Sequence, residues 1–116
     1  SLVQPVTDEV IAAYDAPFPV PESRVGIVQF PELVPTSSEH PNAARMLEVR
    51  EQLRSLDRPA LVLFSDSDPI FSRRAAEAMA GVLPNAELDP PVIGAGHFLQ
   101  EDQGETIGRR IAAFRR

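Results

Sequence analysis

The sequence lacks cysteine, lysine and tryptophan altogether. Without cysteine, the 116-residue chain forms no disulfide and offers no thiolate ligand to a metal. A formal net charge of −6 leaves no basic stripe of the kind that binds nucleic acid. The sequence also has no apolar run long enough to cross a bilayer, and nothing in it resembles a signal peptide. We therefore expect a cytoplasmic protein with neither nucleic acid nor a membrane as a partner.

Proline is concentrated at the front of the chain. Seven of the twelve prolines fall within residues 1–41, and such density breaks helices because proline lacks the N–H donor and its ring obstructs the preceding turn. A short helix is predicted over residues 8–14, followed by an extended run over residues 16–21. We interpret residues 1–40 as an excursion from the core.

Apolar residues recur at regular spacings from residue 41 onward. Their pattern predicts a helix ending near Asp57, a buried strand over 59–64, a helix after Ser72, a short strand around 87–93, and a last helix from Glu101 to the basic Arg115 and Arg116. Alternating strands and helices are typical of an α/β fold with parallel strands and right-handed crossovers. Two parallel strands cannot enclose a core, so we expect one end of a larger sheet.

Each predicted strand leads into residues that carry chemistry. The first strand runs into residues 65–68, which are Ser-Asp-Ser-Asp, and the second into residues 94–97, which are Gly-Ala-Gly-His. Ligands of open α/β sheets collect at the carboxyl ends of the strands. An acid that holds Nδ1–H of a histidine leaves Nε2 free as a general base, as in hydrolytic triads. The sequence therefore predicts His97 as a base, with Asp66 or Asp68 as its acid.

Other polar residues have less distinctive surroundings. Glu101, Asp102 and Glu105 are interpreted as acidic residues that favour a helix N-terminus. With one histidine nearby, they are not expected to form a metal site. His40 is interpreted as a solvated loop residue.

Four segments resemble haloalkane dehalogenases, a family with the α/β-hydrolase fold. Residues 95–105, AGHFLQEDQGE, resemble the family's catalytic-histidine motif, and residues 64–70, FSDSDPI, resemble its catalytic-acid turn. Ser65 stands where many relatives have glycine. Residues 13–19, AYDAPFP, and residues 30–35, FPELVP, resemble the end of the family's cap domain. Together these segments extend the resemblance over nearly the whole chain.

The resemblance implies a division of the chain and a set of site residues. Residues 1–40 are expected to be the end of a helical cap domain and its connection, and residues 41–116 the C-terminal part of an α/β-hydrolase core. Asp68 is implied as the triad acid and His97 as the base. The apolar positions implied to contact substrate are Phe30, Pro31, Val34, Ile70, Phe71 and Phe98.

The resemblance also implies an activity that this chain does not complete. Family members displace halide with an aspartate, forming an alkyl-enzyme ester that is hydrolysed by water activated by the histidine, and they need no metal or organic cofactor. Their nucleophile lies on a strand-to-helix elbow, but the chain contains no G-x-D-x-G pattern, and it lacks the tryptophan that helps to bind the leaving halide. We therefore predict that the chain alone does not turn over small apolar haloalkanes, and that a missing N-terminal half or self-association accompanies it.

Two other hypotheses stay open. An epoxide hydrolase or esterase of the same fold has a similar acid and base, although epoxide hydrolases use cap tyrosines and Tyr14 is the single tyrosine here. A non-catalytic truncated remnant is a different class, and it would associate with itself or another chain through the edges of an incomplete sheet. Co-purification with a larger chain bearing a G-x-D-x-G elbow favours the enzyme, whereas a stable homodimer without one favours the remnant.

Overall fold

The computed structural model describes residues 2–114. Ser1, Arg115 and Arg116 lie outside the described residues, and with them the basic end predicted for the last helix. In chain order the elements are α1 (Asp8–Asp15), α2 (Val25–Gln29), α3 (Ala43–Arg54), β1 (Ala60–Val62), α4 (Arg73–Val82), β2 (Ala86–Leu88) and α5 (Leu99–Phe114), with 3₁₀ turns at Pro21–Arg24 and Pro31–Leu33.

The chain forms two compact units. The first contains Ser1–Pro5 and Leu53–Arg116, and the second contains Val6–Gln52. The division at residue 40 into the end of a cap and a hydrolase core stays a prediction. Along the described residues 2–114, no helix is both long enough and apolar enough to span a membrane.

Short helical segments make up the unit Val6–Gln52. Thr7 caps α1, because its side-chain oxygen accepts the N–H of Val10 at 3.4 Å. The run over residues 16–21 is not extended throughout, since the N–H of Phe18 donates to the carbonyl of Asp15 at 2.8 Å. Each 3₁₀ turn in this unit begins on a proline, which suits a first helical position because no N–H is needed there. Proline density therefore begins helical turns here as well as ending helices.

The sheet of the first unit consists of two parallel strands. Residues of β1 and β2 pair in the register Ala60↔Ala86 through Val62↔Leu88. Both strands are shorter than predicted, because Pro90 and Pro91 have no N–H to donate and interrupt the pairing. Pairing then resumes as a bridge between Ser65 and Val92. An α/β fold with an incomplete parallel sheet, as predicted, is confirmed.

Among residues 2–114, the buried apolar residues lie in the sheet, beside it and on α4. Val62, Ala76, Val92 and Ala95 are buried, and Val92 is 0% exposed. Other large apolar side chains of the same unit remain exposed, among them Ile93 at 70%. The buried apolar residues of the described chain thus come from β1, from α4 and from the segment that precedes His97.

Helix α5 is tied to the rest of its unit by charged side chains. Arg110 donates to the carboxylate of Asp89 at 3.1 Å and to the carbonyl of Pro90 at 2.5 Å, which joins the helix to the segment after β2. Near its start, the helix is interrupted at Gln103, which has non-helical angles (φ −140°, ψ 35°). The residue before this interruption, Asp102, makes long-range contacts.

Asp102 connects three parts of the first unit. Its carboxylate accepts the N–H of Gln4 at 2.7 Å, of Gly96 at 2.8 Å and of Val3 at 3.0 Å. The N–H groups of Gly96 and Gln4 lower the pKa of Asp102 below its ordinary value. Asp102 therefore does more than favour the helix N-terminus, because it anchors residues 3–4 and the turn before His97.

The Asp102 anchor predicts a pH-dependent contribution to stability. A carboxyl whose pKa is lowered in the folded chain stabilises the fold above its unfolded pKa of about 3.9, and this stabilisation is lost as the pH falls through the folded pKa. Asp102→Asn is expected to lower the free energy of unfolding at neutral pH, with a difference from the wild type that shrinks below about pH 4. Thermal unfolding followed by circular dichroism across this pH range measures the difference.

Glu87→Gln is the matched control, because it removes one exposed carboxylate from β2 of the same unit. Its difference from the wild type is expected to stay small at every pH. A stability difference for Asp102→Asn that does not change with pH would contradict the anchor.

Candidate active site

The acid and the base predicted from the sequence lie at the same edge of the sheet. After β1 the chain enters residues 65–68, called here the acid turn, and after the bridge at Val92 it enters residues 94–97, called here the histidine turn. The N–H of Val92 donates to the carbonyl of Phe64 at 2.8 Å, and the N–H of Asp66 donates to the carbonyl of Val92 at 3.1 Å. Parallel pairing thus brings the two turns together.

His97 and Asp68 are in direct contact. Nδ1 of His97 lies 3.0 Å from Oδ2 of Asp68. The Asp68 side chain is only 6% exposed, whereas the imidazole is 27% exposed. The carboxylate is therefore shielded while the ring can still be reached from outside.

The second oxygen of Asp68 is held by the backbone. Oδ1 accepts the N–H of Ile70 at 2.7 Å and of Phe71 at 3.1 Å. Burial raises the pKa of Asp68, but the N–H groups of Ile70 and Phe71 and the His97 imidazole together lower it further, so that the net pKa lies below the ordinary value. Asp68 is thus a fixed carboxylate that accepts Nδ1–H and leaves Nε2 as the chemically available nitrogen.

Two phenylalanines flank the imidazole. The Phe71 ring centroid lies 5.6 Å from that of His97 with the planes 33° apart, and the Phe98 ring meets His97 edge to face at 5.3 Å. Phe64 in turn meets Phe71 edge to face at 6.2 Å. The ring of His97 is therefore oriented by aromatic contacts as well as by Asp68.

The remaining residues predicted to contact substrate are Ile70, Phe30, Pro31 and Val34. Ile70 donates its N–H to Asp68, and its side chain is 64% exposed. Phe30, Pro31 and Val34 belong to the unit Val6–Gln52, where all three are exposed. Their role in contacting substrate stays a prediction.

His40 is more ordered than its interpretation as a solvated loop residue suggests. Its ring is partly buried, with Nε2 3.0 Å from the carbonyl of Glu32 and Nδ1 accepting the N–H of Asn42 at 3.1 Å. Asn42 also donates its side-chain amide to the carbonyl of Leu33 at 2.8 Å. These two side chains fix the 3₁₀ turn Pro31–Leu33 within their own unit.

The two candidate acids, Asp66 and Asp68, make different contacts. Asp68 contacts the imidazole, whereas Oδ1 of Asp66 accepts the N–H of Gly94 at 3.0 Å and of Ala95 at 3.3 Å. Asp66 therefore contacts the backbone of the histidine turn and not its ring.

Ser65, the residue that departs from glycine, also serves the histidine turn. It is buried, and its hydroxyl donates to the carbonyl of Gly96 at 2.8 Å. Sequence reasoning did not assign this contact, because it joins residues on two different turns. The departure from glycine at this position is thus accommodated by a hydrogen bond.

A cavity of about 590 Å³ opens beside the acid turn. Asp68 and Phe71 line it, together with Leu88 and the two prolines that follow β2. His97 is not among its lining residues, so the cavity lies beside the Asp68–His97 contact and does not contain the imidazole. Within residues 2–114, no three His, Asp or Glu side chains are grouped so as to hold a metal ion.

The curated proteins that the chain resembles in sequence include several haloalkane dehalogenases. No protein-family model matches the chain. A haloalkane dehalogenase of Psychrobacter cryohalolentis is 34% identical over 114 residues, which is 97% of this chain and 37% of that protein. One from Mycobacterium marinum is 35% identical over 113 residues, covering 97% of this chain and 38% of that protein. The chain therefore spans less than two-fifths of the length of these curated relatives.

Solved structures agree with the sequence comparison. A putative ancestral haloalkane dehalogenase superposes with a TM-score of 0.85 and 35% identity over 98% of this chain and 40% of that one. The haloalkane dehalogenase of Bradyrhizobium elkani superposes with a TM-score of 0.86 and 29% identity over 98% of this chain and 39% of that one. In sequence and in structure, this chain resembles the C-terminal portion of haloalkane dehalogenases, with the corresponding part of the α/β-hydrolase fold.

Proposed function

We propose that the chain is part of a haloalkane dehalogenase and supplies the acid and base of its catalytic triad. The observation that carries the proposal is the contact of 3.0 Å between Nδ1 of His97 and Oδ2 of Asp68, at the tips of two parallel strands. The sequence similarity to haloalkane dehalogenases favours this chemistry over that of an epoxide hydrolase or esterase of the same fold.

The proposed reaction has two steps. A carboxylate nucleophile on a segment outside this chain attacks the halogen-bearing carbon, so that a carbon–oxygen bond forms as the carbon–halogen bond breaks and halide leaves. Water then attacks the carbonyl carbon of the resulting ester, and Nε2 of His97 accepts the proton from that water. Asp68 stabilises the imidazolium that forms, because its carboxylate already accepts Nδ1–H. The ester carbon–oxygen bond then breaks to release the alcohol and the free carboxylate, and the proton on Nε2 passes to solvent, which restores the base. No metal or organic cofactor takes part.

The substrate in this proposal is a small, apolar halogenated molecule. Phe71 and Phe98 flank the imidazole and offer apolar contact to such a substrate. Ile70, two positions after Asp68, is exposed and is a further apolar contact in this proposal. An N-terminal half that carries the nucleophile is the proposed partner, with self-association as the alternative for a non-catalytic remnant. The cytoplasmic location expected from the sequence stays a prediction.

The proposal predicts that this chain alone releases no halide. Halide release from 1,2-dibromoethane is expected only when the chain is combined with an N-terminal segment of a haloalkane dehalogenase that carries the G-x-D-x-G elbow. Intact mass and size-exclusion chromatography first establish which chains are present, and a halide assay then follows turnover. Release by the verified single chain would contradict a nucleophile outside it, whereas a stable homodimer that is not activated by any elbow-bearing partner would favour the remnant.

In the combined enzyme, His97→Ala is expected to lower turnover by about 10²–10⁴-fold, the usual contribution of a general base. Asp68→Asn is expected to give a loss in the same range, because an amide stabilises the imidazolium less than a carboxylate does. Asp57→Asn is the matched control for Asp68→Asn, since the Asp57 carboxylate accepts the side-chain amide of Asn85 at 3.0 Å and has no proposed role in the site. Steady-state halide release measures all three variants. Equal losses for the two aspartates would contradict the assignment of Asp68, and full turnover in His97→Ala would contradict that of His97.

A further inference from the structure

The histidine turn is held by side chains that do not touch the imidazole. Oδ1 of Asp66 accepts two successive N–H groups, from Gly94 at 3.0 Å and from Ala95 at 3.3 Å. On the other side of the turn, Asp102 accepts the N–H of Gly96 at 2.8 Å. All three N–H groups that precede His97 in this turn are therefore bound by carboxylates.

The backbone of the histidine turn is shaped to receive the Asp66 carboxylate. Gly94 has a positive φ of 71°, a conformation that favours glycine. Successive N–H groups in such a turn point to one side and form a concave site for an anion. Hydrogen bonds to an ionised carboxylate are stronger than those between neutral groups. The N–H of Gly94 also lowers the pKa of Asp66, which keeps the acceptor charged.

Two carboxylates of the acid turn therefore bind the histidine turn. Asp68 holds the imidazole through Nδ1, and Asp66, two positions earlier, holds the backbone that precedes His97. Two further hydrogen bonds join the same turns, from the N–H of Ser67 to the carbonyl of Ala95 at 3.1 Å and from the hydroxyl of Ser65 to the carbonyl of Gly96 at 2.8 Å. Because Asp66 and Asp68 share one short turn, the bonds of Asp66 help to set the distance between the Asp68 carboxylate and the ring.

We propose that Asp66 is a positioning residue, which places His97 against Asp68 by binding the N–H groups of Gly94 and Ala95. The effect of Asp66 on catalysis rests on the function proposed above. Its effect on the position of the imidazole does not. When Asp66 is removed, the histidine turn loses the acceptor for two N–H groups, and Nδ1 is no longer kept at hydrogen-bonding distance from Asp68.

The tautomer of His97 reports this positioning directly. A ring that donates Nδ1–H to Asp68 is held in the Nδ1–H form, whereas a released ring reverts to the Nε2–H form that free imidazole side chains prefer. His40 serves as an internal reference of the opposite kind, because its Nδ1 accepts the N–H of Asn42 and its proton must therefore lie on Nε2. Nitrogen-15 NMR of the neutral rings distinguishes the two forms, and His40→Ala assigns the signals.

The experiment compares Asp66→Ala with Asp57→Ala in this 116-residue chain. Asp57 is a matched control because its carboxylate also bridges distant residues, accepting the side-chain amide of Asn85 at 3.0 Å without touching the histidine turn. Asp66→Ala is expected to lose the Nδ1–H form as the major tautomer of His97, while Asp57→Ala keeps it. Asp66→Asn retains an acceptor oxygen and is expected to restore most of the Nδ1–H form. An unchanged tautomer in a folded Asp66→Ala chain would overturn the proposal.

A second measurement decides the matter if Asp66→Ala fails to fold. In Asp66→Asn the amide hydrogens of Gly94 and Ala95 are expected to exchange several-fold faster than in the wild type, while that of Gly96, held by Asp102, is not. An equal change in exchange rate, relative to the wild type, at all three amides would overturn the proposal. Neither measurement uses substrate, so a combined enzyme that releases no halide would contradict the proposed function and leave these results intact. An unchanged tautomer in the folded Asp66→Ala chain, with halide release by the wild-type combined enzyme, would contradict this inference alone.

Discussion

Parallel pairing between two short strands is the constraint on which the site depends. Residues of β1 and β2 pair over three positions, and the bridge between Ser65 and Val92 extends the pairing past Pro90 and Pro91. Without that bridge, the acid turn and the histidine turn would leave the sheet separately. With it, Asp68 and His97, which are 29 residues apart in sequence, come within 3.0 Å of each other.

Polar contacts hold the backbone of the two turns at the strand ends. Only a few small or medium-sized apolar side chains are buried there, and many large ones in the same unit are exposed. Carboxylates of Asp66, Asp68 and Asp102 each bind backbone N–H groups around the site, and each has a pKa below its ordinary value. One consequence is that the geometry of the acid and base depends on carboxylates being ionised.

Much of this architecture follows from the sequence because it rests on local patterns. The unbroken apolar run over residues 59–64 predicted a strand, and β1 lies within it, although Val62 alone of its three residues is buried. Ser72 occupies the N-cap position of α4, as predicted, although its side chain makes no capping hydrogen bond. The glycines around His97 predicted a tight turn, and the positive φ of Gly94 bears this out. These features could be predicted because each depends on residues that are close together in the chain.

The contacts that could not be predicted join distant segments. Asp102 binds the N–H of Gln4 across 98 residues, and Asp66 binds that of Gly94 across 28. Nothing in local composition specifies which of two nearby aspartates turns to the ring and which to the backbone. The Asp-x-Asp spacing in the acid turn offered two candidates for one role, the acid beside His97, and gave no sign that Asp66 would bind the backbone of the histidine turn. The predicted strands were too long for a related reason. Pro90 and Pro91 cannot donate an N–H, and this interrupts the sheet only where the neighbouring strand would accept it, which the sequence does not specify.

In the proposed mechanism, His97, held by Asp68, activates water against an ester formed on another segment. The most direct measurement is the intact mass of the combined enzyme carrying His97→Ala during exposure to 1,2-dibromoethane. A covalent alkyl adduct on the elbow-bearing segment that accumulates in the variant, but not in the wild type, is the predicted result. A variant that is inactive and forms no adduct, although it is folded and assembled, would show that His97 does not act at ester hydrolysis and would contradict the account.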